Sequence, residues 1–305
     1  MSMEFVSLVG SVAILTLLVA VVYWCIDTRL GILLGIAFLI SNNIYSILKL
    51  AFHSPRPYWI DPNVKAWASE ASFGFPSGHS LMAVSIWGIL GVNTRKSRWI
   101  AAAILMIFIT GISRMYLGVH FLSDVLAGWC LGFVLLGVIY ALEKPVTHWI
   151  SRRKPSRVFL AAVSMSLVFI ALGYFFYAEL IPWQFPADWL PDYSSTIHPV
   201  MLRDVIDSAG IFTGFAAGAC WLAAMPGIVG TFSSKGSWKQ LTWRCIGGIA
   251  GILFLYGSLG MIIPHDETVS VWVLRFLRSS LAGFWISGLA PFIFIKTGLA
   301  GTSNR

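Results

Sequence analysis

The residues able to do chemistry gather in three short stretches of a strongly apolar chain. They read Lys49-x6-Arg56-Pro57, Pro76-Ser77-Gly78-His79 and Ser113-Arg114-x5-His120-x3-Asp124. Between them they supply two histidines, one carboxylate, three cations and a serine placed to cap a helix. Such a set suits holding a phosphate and attacking it with imidazole. His120 and Asp124 stand four apart, so on a helix they share one face. Asp124 can then accept the Nδ1–H of His120, fixing the tautomer and leaving Nε2 free to attack, as a carboxylate orients histidine in a catalytic triad. Ser77 is a natural N-cap, and the helix it opens presents unsatisfied N–H groups suited to an anion. His79, at that helix start, is placed to hand a proton to a leaving oxygen. Pro55 and Pro57 stiffen the chain around Arg56, which aims a guanidinium fork at phosphate oxygens.

The elements that must position these groups are membrane spans. The chain has 305 residues, of which 57% are hydrophobic and 11% charged; soluble domains average about 25% charged. A spanning helix needs about 20 mostly apolar residues. Nine runs are long enough: 5–25, 31–51, 78–94, 98–113, 120–142, 158–178, 207–230, 243–263 and 279–296. The expected fold is an all-α polytopic membrane protein, a bundle of about nine transmembrane helices forming a single integral membrane domain over 1–305. The motifs fall within 49–124, and 158–305 adds C-terminal spans without a motif. The run from Phe5 to Cys25 reads as a retained span, since Glu4 replaces the basic segment of a leader.

Charges on alternate loops give an orientation. One side carries 14 Lys and Arg against 7 on the other, and three of the 7 belong to the motifs. The richer side is expected to be cytoplasmic, which sends the N-terminus and all three motifs to the periplasm, lumen or exterior and the C-terminus to the cytoplasm. This loop bias also accounts for the net charge of +8, and no basic helix or base-stacking platform points to nucleic acid. Cys25, Cys130, Cys220 and Cys245 are scattered without metal-ligand spacing. Trp24, Trp59, Trp99, Trp149, Trp183, Trp243 and Trp272 fall near span ends, as an interfacial belt would. Four prolines interrupt the acidic 179–206 stretch, where 183–189 is expected to roof the site in part.

The three stretches resemble the signature of the type 2 phosphatidic acid phosphatase superfamily, a group that includes lipid phosphate phosphatases, glucose-6-phosphatases and vanadium haloperoxidases; the nine spans and the Arg56-Pro57-Tyr58-Trp59 string are similar to the glucose-6-phosphatase arrangement. The resemblance covers 49–124. It implies a metal-free, cofactor-free phosphatase that works through a phosphohistidine. By it, His120 is the nucleophile, Asp124 its orienter and His79 the acid, while Lys49, Arg56, Ser77, Gly78 and Arg114 bind the phosphoryl oxygens. Expected substrates are head groups of phosphatidate, phosphatidylglycerol phosphate, a sphingoid-base phosphate or an isoprenyl (pyro)phosphate, with membrane lipids as surroundings. Hydrolysis of soluble sugar phosphates and lipid phosphotransfer are the alternatives. A transporter would place its polar groups near the midplane, and here they cluster at helix ends.

Overall fold

A computed structural model describes residues 12–94, 96–187, 189–190, 198–226, 231–264 and 266–303. Residues 5–11 of the proposed first span lie outside these residues, as does Asp188 within the 183–189 stretch expected to roof the site. In chain order the helices are α1 (Val12–Cys25), α2 (Thr28–Phe52), the single turn α3 (Pro57–Ile60), α4 (Gly78–Thr94), α5 (Ser97–Tyr116), α6 (Leu122–Ser151), α7 (Pro155–Glu179), α8 (Arg203–Ala224), α9 (Trp238–Gly260), α10 (Val269–Phe284) and α11 (Ala290–Lys296). A π-helical turn, Trp285–Leu289, joins α10 to α11. The strand pair is minimal, β1 (Thr231–Phe232) running antiparallel to β2 (Thr302–Ser303).

Each of the nine apolar runs contains a helix in the expected place. Among the described residues, seven helices are long and apolar enough to cross a membrane, and the protein is an integral membrane protein. The 17-residue α4 and the described part of α1 are the two shorter members. Lipid offers no partners for backbone polar groups, so helices that satisfy their own are the stable answer for such sequences.

Two boundaries differ from expectation for physical reasons. The last span was expected to begin at 279, but α10 begins at Val269. Arg275 and Arg278 interrupt the apolar run, yet both pair with Asp207 of α8, at 3.2 and 3.1 Å, which lets the helix pass through them. Similarly, α6 continues to Ser151 beyond the apolar limit at 142. At 1.5 Å per residue its 30 residues exceed a hydrocarbon core of roughly 30 Å, so the polar end needs no lipid.

The chain divides into two compact units. The first comprises 1–15, 40–140 and 171–205 and contains all three motifs. Its centre is α4, buried on nearly every side, as expected of a helix apolar all round. Gly128 of α6 lets that helix lie against the α4 start: a Cβ there would stand 2.6 Å from the Ser77 carbonyl oxygen. The second unit comprises 16–39, 141–170 and 206–305. Tyr23, Trp24, Phe232, Ile286 and Phe294 form its core. Arg244, fully buried, ties this unit together by donating to the carbonyls of Trp24, Ser233, Ser234, Lys235 and Leu299 at 2.6–3.4 Å.

Candidate active site

Two backbone hydrogen bonds and one from a side chain bring the motif segments together. The Ser77 amide donates to the Asp124 carbonyl at 3.0 Å, joining the start of α4 to the start of α6, and the Gly74 amide donates to the Ser54 carbonyl at 2.9 Å. Arg56 Nη1 donates to the Val119 carbonyl at 2.9 Å. Between α5 and α6 the chain turns at Gly118, whose φ of 72° belongs to the left-handed region; a Cβ there would also meet the Lys65 carbonyl at 2.8 Å. This turn delivers His120 ahead of α6.

His120 and Asp124 are almost fully buried, with Nδ1 and Oδ2 3.2 Å apart. The same Oδ2 accepts the Phe121 amide at 2.9 Å, so the carboxylate is held while it orients the ring. Nε2 faces Arg56 Nη1 at 3.4 Å. A guanidinium nitrogen is only a donor, so Nε2 presents its lone pair, in agreement with a proton on Nδ1. Burial first, then the charges of Arg56 and Lys49, push the His120 imidazole well below its ordinary pKa of 6.5. The ring is therefore neutral at pH 7, the form that can act as a nucleophile.

A cavity of about 160 Å³ opens beside it, lined by Tyr45, Lys49, Arg56, Glu70, Ser72, Gly78, His79, Met82, His120 and Asp204. Five of the eight site residues expected from the sequence thus share one wall: Lys49, Arg56, Gly78, His79 and His120. Asp124 stands behind His120, and Ser77 is fully buried at the α4 cap, where its Oγ accepts the Ser80 amide at 3.4 Å. Gly78 is required by a neighbouring ring as well as by any ligand, since a Cβ there would lie 2.9 Å from Tyr45. Arg56 is nearly saturated: Nε and Nη2 donate to the Ser72 carbonyl, Ser72 Oγ and the Phe73 carbonyl at 2.7–3.2 Å.

Arg114 differs. It is fully buried at the end of α5, yet neither of its terminal nitrogens finds a hydrogen-bond partner among the described residues. Only Nε reaches one, Ser113 Oγ at 3.4 Å. Unpaired buried guanidinium N–H groups are costly, and an anion bound nearby would satisfy them. The Arg114 charge is felt at both Glu70 and His120.

Sequence reasoning missed Glu70, Ser72, Tyr45 and Asp204. Ser72 Oγ accepts from Lys49 Nζ at 2.8 Å and so aims the amine. Burial works against a charge on Glu70, but Arg56, then Lys49, His79 and Arg114, hold its carboxyl below the ordinary range. A carboxylate between two cationic motifs, twelve residues after Tyr58, was the available signal. Among the described residues, no three His, Cys, Asp or Glu side chains gather to hold a metal ion.

Trp24 and Trp59, read near span ends, are fully buried within the protein. One expectation is corrected. The described residues of 183–189 do not line the cavity. Instead Trp183, Phe185 and Trp189 pack on Tyr58, Trp59 and Phe73, and the Leu190 amide donates to the Trp59 carbonyl at 2.8 Å. They brace the segment that carries Arg56. A second cavity, of about 200 Å³, lies among α4, α5 and α6 and is lined only by apolar and aromatic residues, so it offers nothing to act on phosphorus.

Comparison with known proteins identifies a family. Residues 30–148 match the family described as PAP2 superfamily, and residues 206–302 match the PAP2 superfamily phosphatase transmembrane extension. The chain is 32% identical over 104 residues to phosphatidylglycerophosphatase B of Bacillus subtilis, covering 30% of this chain and 51% of that protein. It is 31% identical over 105 residues to undecaprenyl-diphosphatase of Sulfolobus acidocaldarius, covering 34% and 50%. To the bacitracin transport permease protein BcrC of Bacillus licheniformis it is 34% identical over 127 residues, covering 40% and 59%. The chain thus spans about half the length of these curated relatives. No solved structure matches.

Proposed function

Since this chain belongs to the PAP2 superfamily, we propose that it is an integral membrane phosphatase that removes phosphate from lipid head groups through a phosphohistidine. The observation that carries the reading is a neutral, Asp124-oriented His120 at the wall of a cavity rich in cations, beside a buried arginine with unfilled donors. In the first step His120 Nε2 forms a bond to phosphorus while the ester P–O bond breaks. The departing oxygen takes a proton from His79. In the second, His79 takes a proton from water, the resulting hydroxide attacks phosphorus, and the N–P bond breaks to release phosphate. Asp124 stabilises the positive charge that builds on the His120 ring. Lys49 and Arg114, with the first amides of α4, offset the charge on the transferring oxygens.

Sidedness is part of the same proposal. The excess of Lys and Arg on alternate loops puts the motif-bearing helix ends on the outer or lumenal face. There a lipid phosphate enters laterally from the interface. The name of one relative invokes transport, but the polar groups here lie at helix ends, away from the midplane where transporters bind.

The test is phosphate release by the purified protein in detergent, using phosphatidate, phosphatidylglycerol phosphate, isoprenyl phosphates and glucose 6-phosphate. Lipid esters should turn over, and brief reaction with labelled substrate should leave acid-labile label on the protein that His120→Ala abolishes. Turnover of the sugar phosphate alone would overturn the lipid reading, and label retained by the variant would overturn the nucleophile.

A further inference from the structure

The cavity contains two carboxylates that phosphate chemistry does not require. Glu70 and Asp204 line it together with Lys49, Arg56, His79 and His120. Both backbones are fixed. The Glu70 amide donates to the Tyr58 hydroxyl at 3.1 Å, which donates back to the Glu70 carbonyl at 3.0 Å. The Asp204 carbonyl accepts from Asn42 Nδ2 at 3.3 Å. Glu70 Oε2 stands 4.0 Å from Arg56 Nη2. An incoming anion therefore meets fixed negative charge as well as cations.

The supply of donors is also limited. Four of the five N–H groups of Arg56 go to Ser72, Phe73 and Val119, and the other nitrogen contact is His120 Nε2. One Lys49 donor is committed to Ser72. What remains along the lining is the rest of Lys49 and the α4 start; Arg114 lies off the lining, and its two terminal nitrogens have no partner among the described residues. Together these suffice for one phosphoryl group. A second phosphate would find few donors and two carboxylates.

Building on the phosphatase reading, we propose that Glu70 and Asp204 sort head groups by charge, favouring phosphomonoesters of uncharged, hydroxyl-bearing or cationic alcohols over diphosphates. A hydroxyl or an amine on the alcohol would donate to these carboxylates, whereas a β-phosphate would be repelled by them.

The probes are farnesyl monophosphate and farnesyl diphosphate, which share a tail and differ by one phosphate. The full-length protein should show the higher kcat/KM on the monophosphate. Glu70→Gln should shift the ratio toward the diphosphate on the order of tenfold, as expected for removing one charge near another in a partly shielded site, and Asp204→Asn should shift it the same way. Glu70→Asp keeps the charge and should keep the ratio, a distinction that a purely structural role would not produce. A preference for the diphosphate in the unaltered protein, or a ratio unmoved in both neutral variants, overturns the proposal while leaving the phosphatase intact. Hydrolysis of neither probe, nor of any other lipid phosphate, overturns the phosphatase reading itself. Should the neutral variants not fold, competition in the unaltered protein decides. Inorganic pyrophosphate should inhibit no more strongly than inorganic phosphate, and inhibition ten times stronger would overturn the charge sorting.

Discussion

Arg114 in the motif-bearing unit and Arg244 in the C-terminal unit are both fully buried, but they are satisfied in opposite ways. Arg244 spends its guanidinium on five backbone carbonyls and has nothing to offer a ligand. Among the described residues, neither terminal nitrogen of Arg114 has a hydrogen-bond partner. Burial alone therefore says little about a cation in lipid; the inventory of its partners separates a strut from a receptor.

The largest effect should come from removing the proposed nucleophile of the reaction whose charge Arg114 is proposed to offset. His120→Ala should reduce turnover to background in the phosphate-release assay, with helical content by circular dichroism retained. Next come the two arginines. Arg114→Gln should lower kcat/KM by roughly 10²–10³-fold, as for loss of one donor to a transition-state oxyanion, with little change in detergent thermal unfolding. Arg244→Gln should do the reverse, costing on the order of 3 kcal/mol or more through stranded carbonyls while sparing the activity of the protein that remains folded. Equal effects of the two changes on both readouts would erase the distinction.

A smaller effect concerns pH. The depressed His120 pKa keeps the ring neutral through the ordinary imidazole range, so the acid limb set by the nucleophile should lie well below pH 6.5. The kcat/KM profile, corrected for the substrate's own ionisation, tests this; a limb centred at 6.5 would contradict it. By linkage, the unfolded chain takes up a proton near pH 6.5 that the folded ring resists, so His120 costs stability as pH falls through that range and costs none above it. The smallest expected change comes from the brace: Trp189→Ala should raise KM several-fold by loosening the Arg56 segment, with kcat affected less.

Much of this was legible from the chain because hydrophobic length and motif spacing are local properties. The nine apolar runs marked the helices, and the spacing rightly paired Asp124 with His120, although His120 stands ahead of α6 on the chain leaving the Gly118 turn and not on the helix face that the spacing implied. What was not legible depends on distant partners. Arg275 and Arg278 looked like the end of an apolar run because Asp207, which pairs with them, lies some seventy residues earlier. Asp204 belongs to a helix far from the motifs, and Glu70 looked like any acidic loop residue until Tyr58 and the surrounding cations were seen to hold it. Arg114 was singled out for its charge, but its unfilled donors show only in coordinates.

The junction between the Ser77 amide and the Asp124 carbonyl has a wider consequence. It ties the start of α4, next to His79, to the start of α6, just after His120, through main chain, with Gly128 permitting the close approach. The exposed apolar surface of α5 and α6 is thus free to drift as bilayer thickness or tail composition changes, without disturbing that junction. A catalyst framed in this way can move from one host membrane to another by exchanging its exterior and keeping its works.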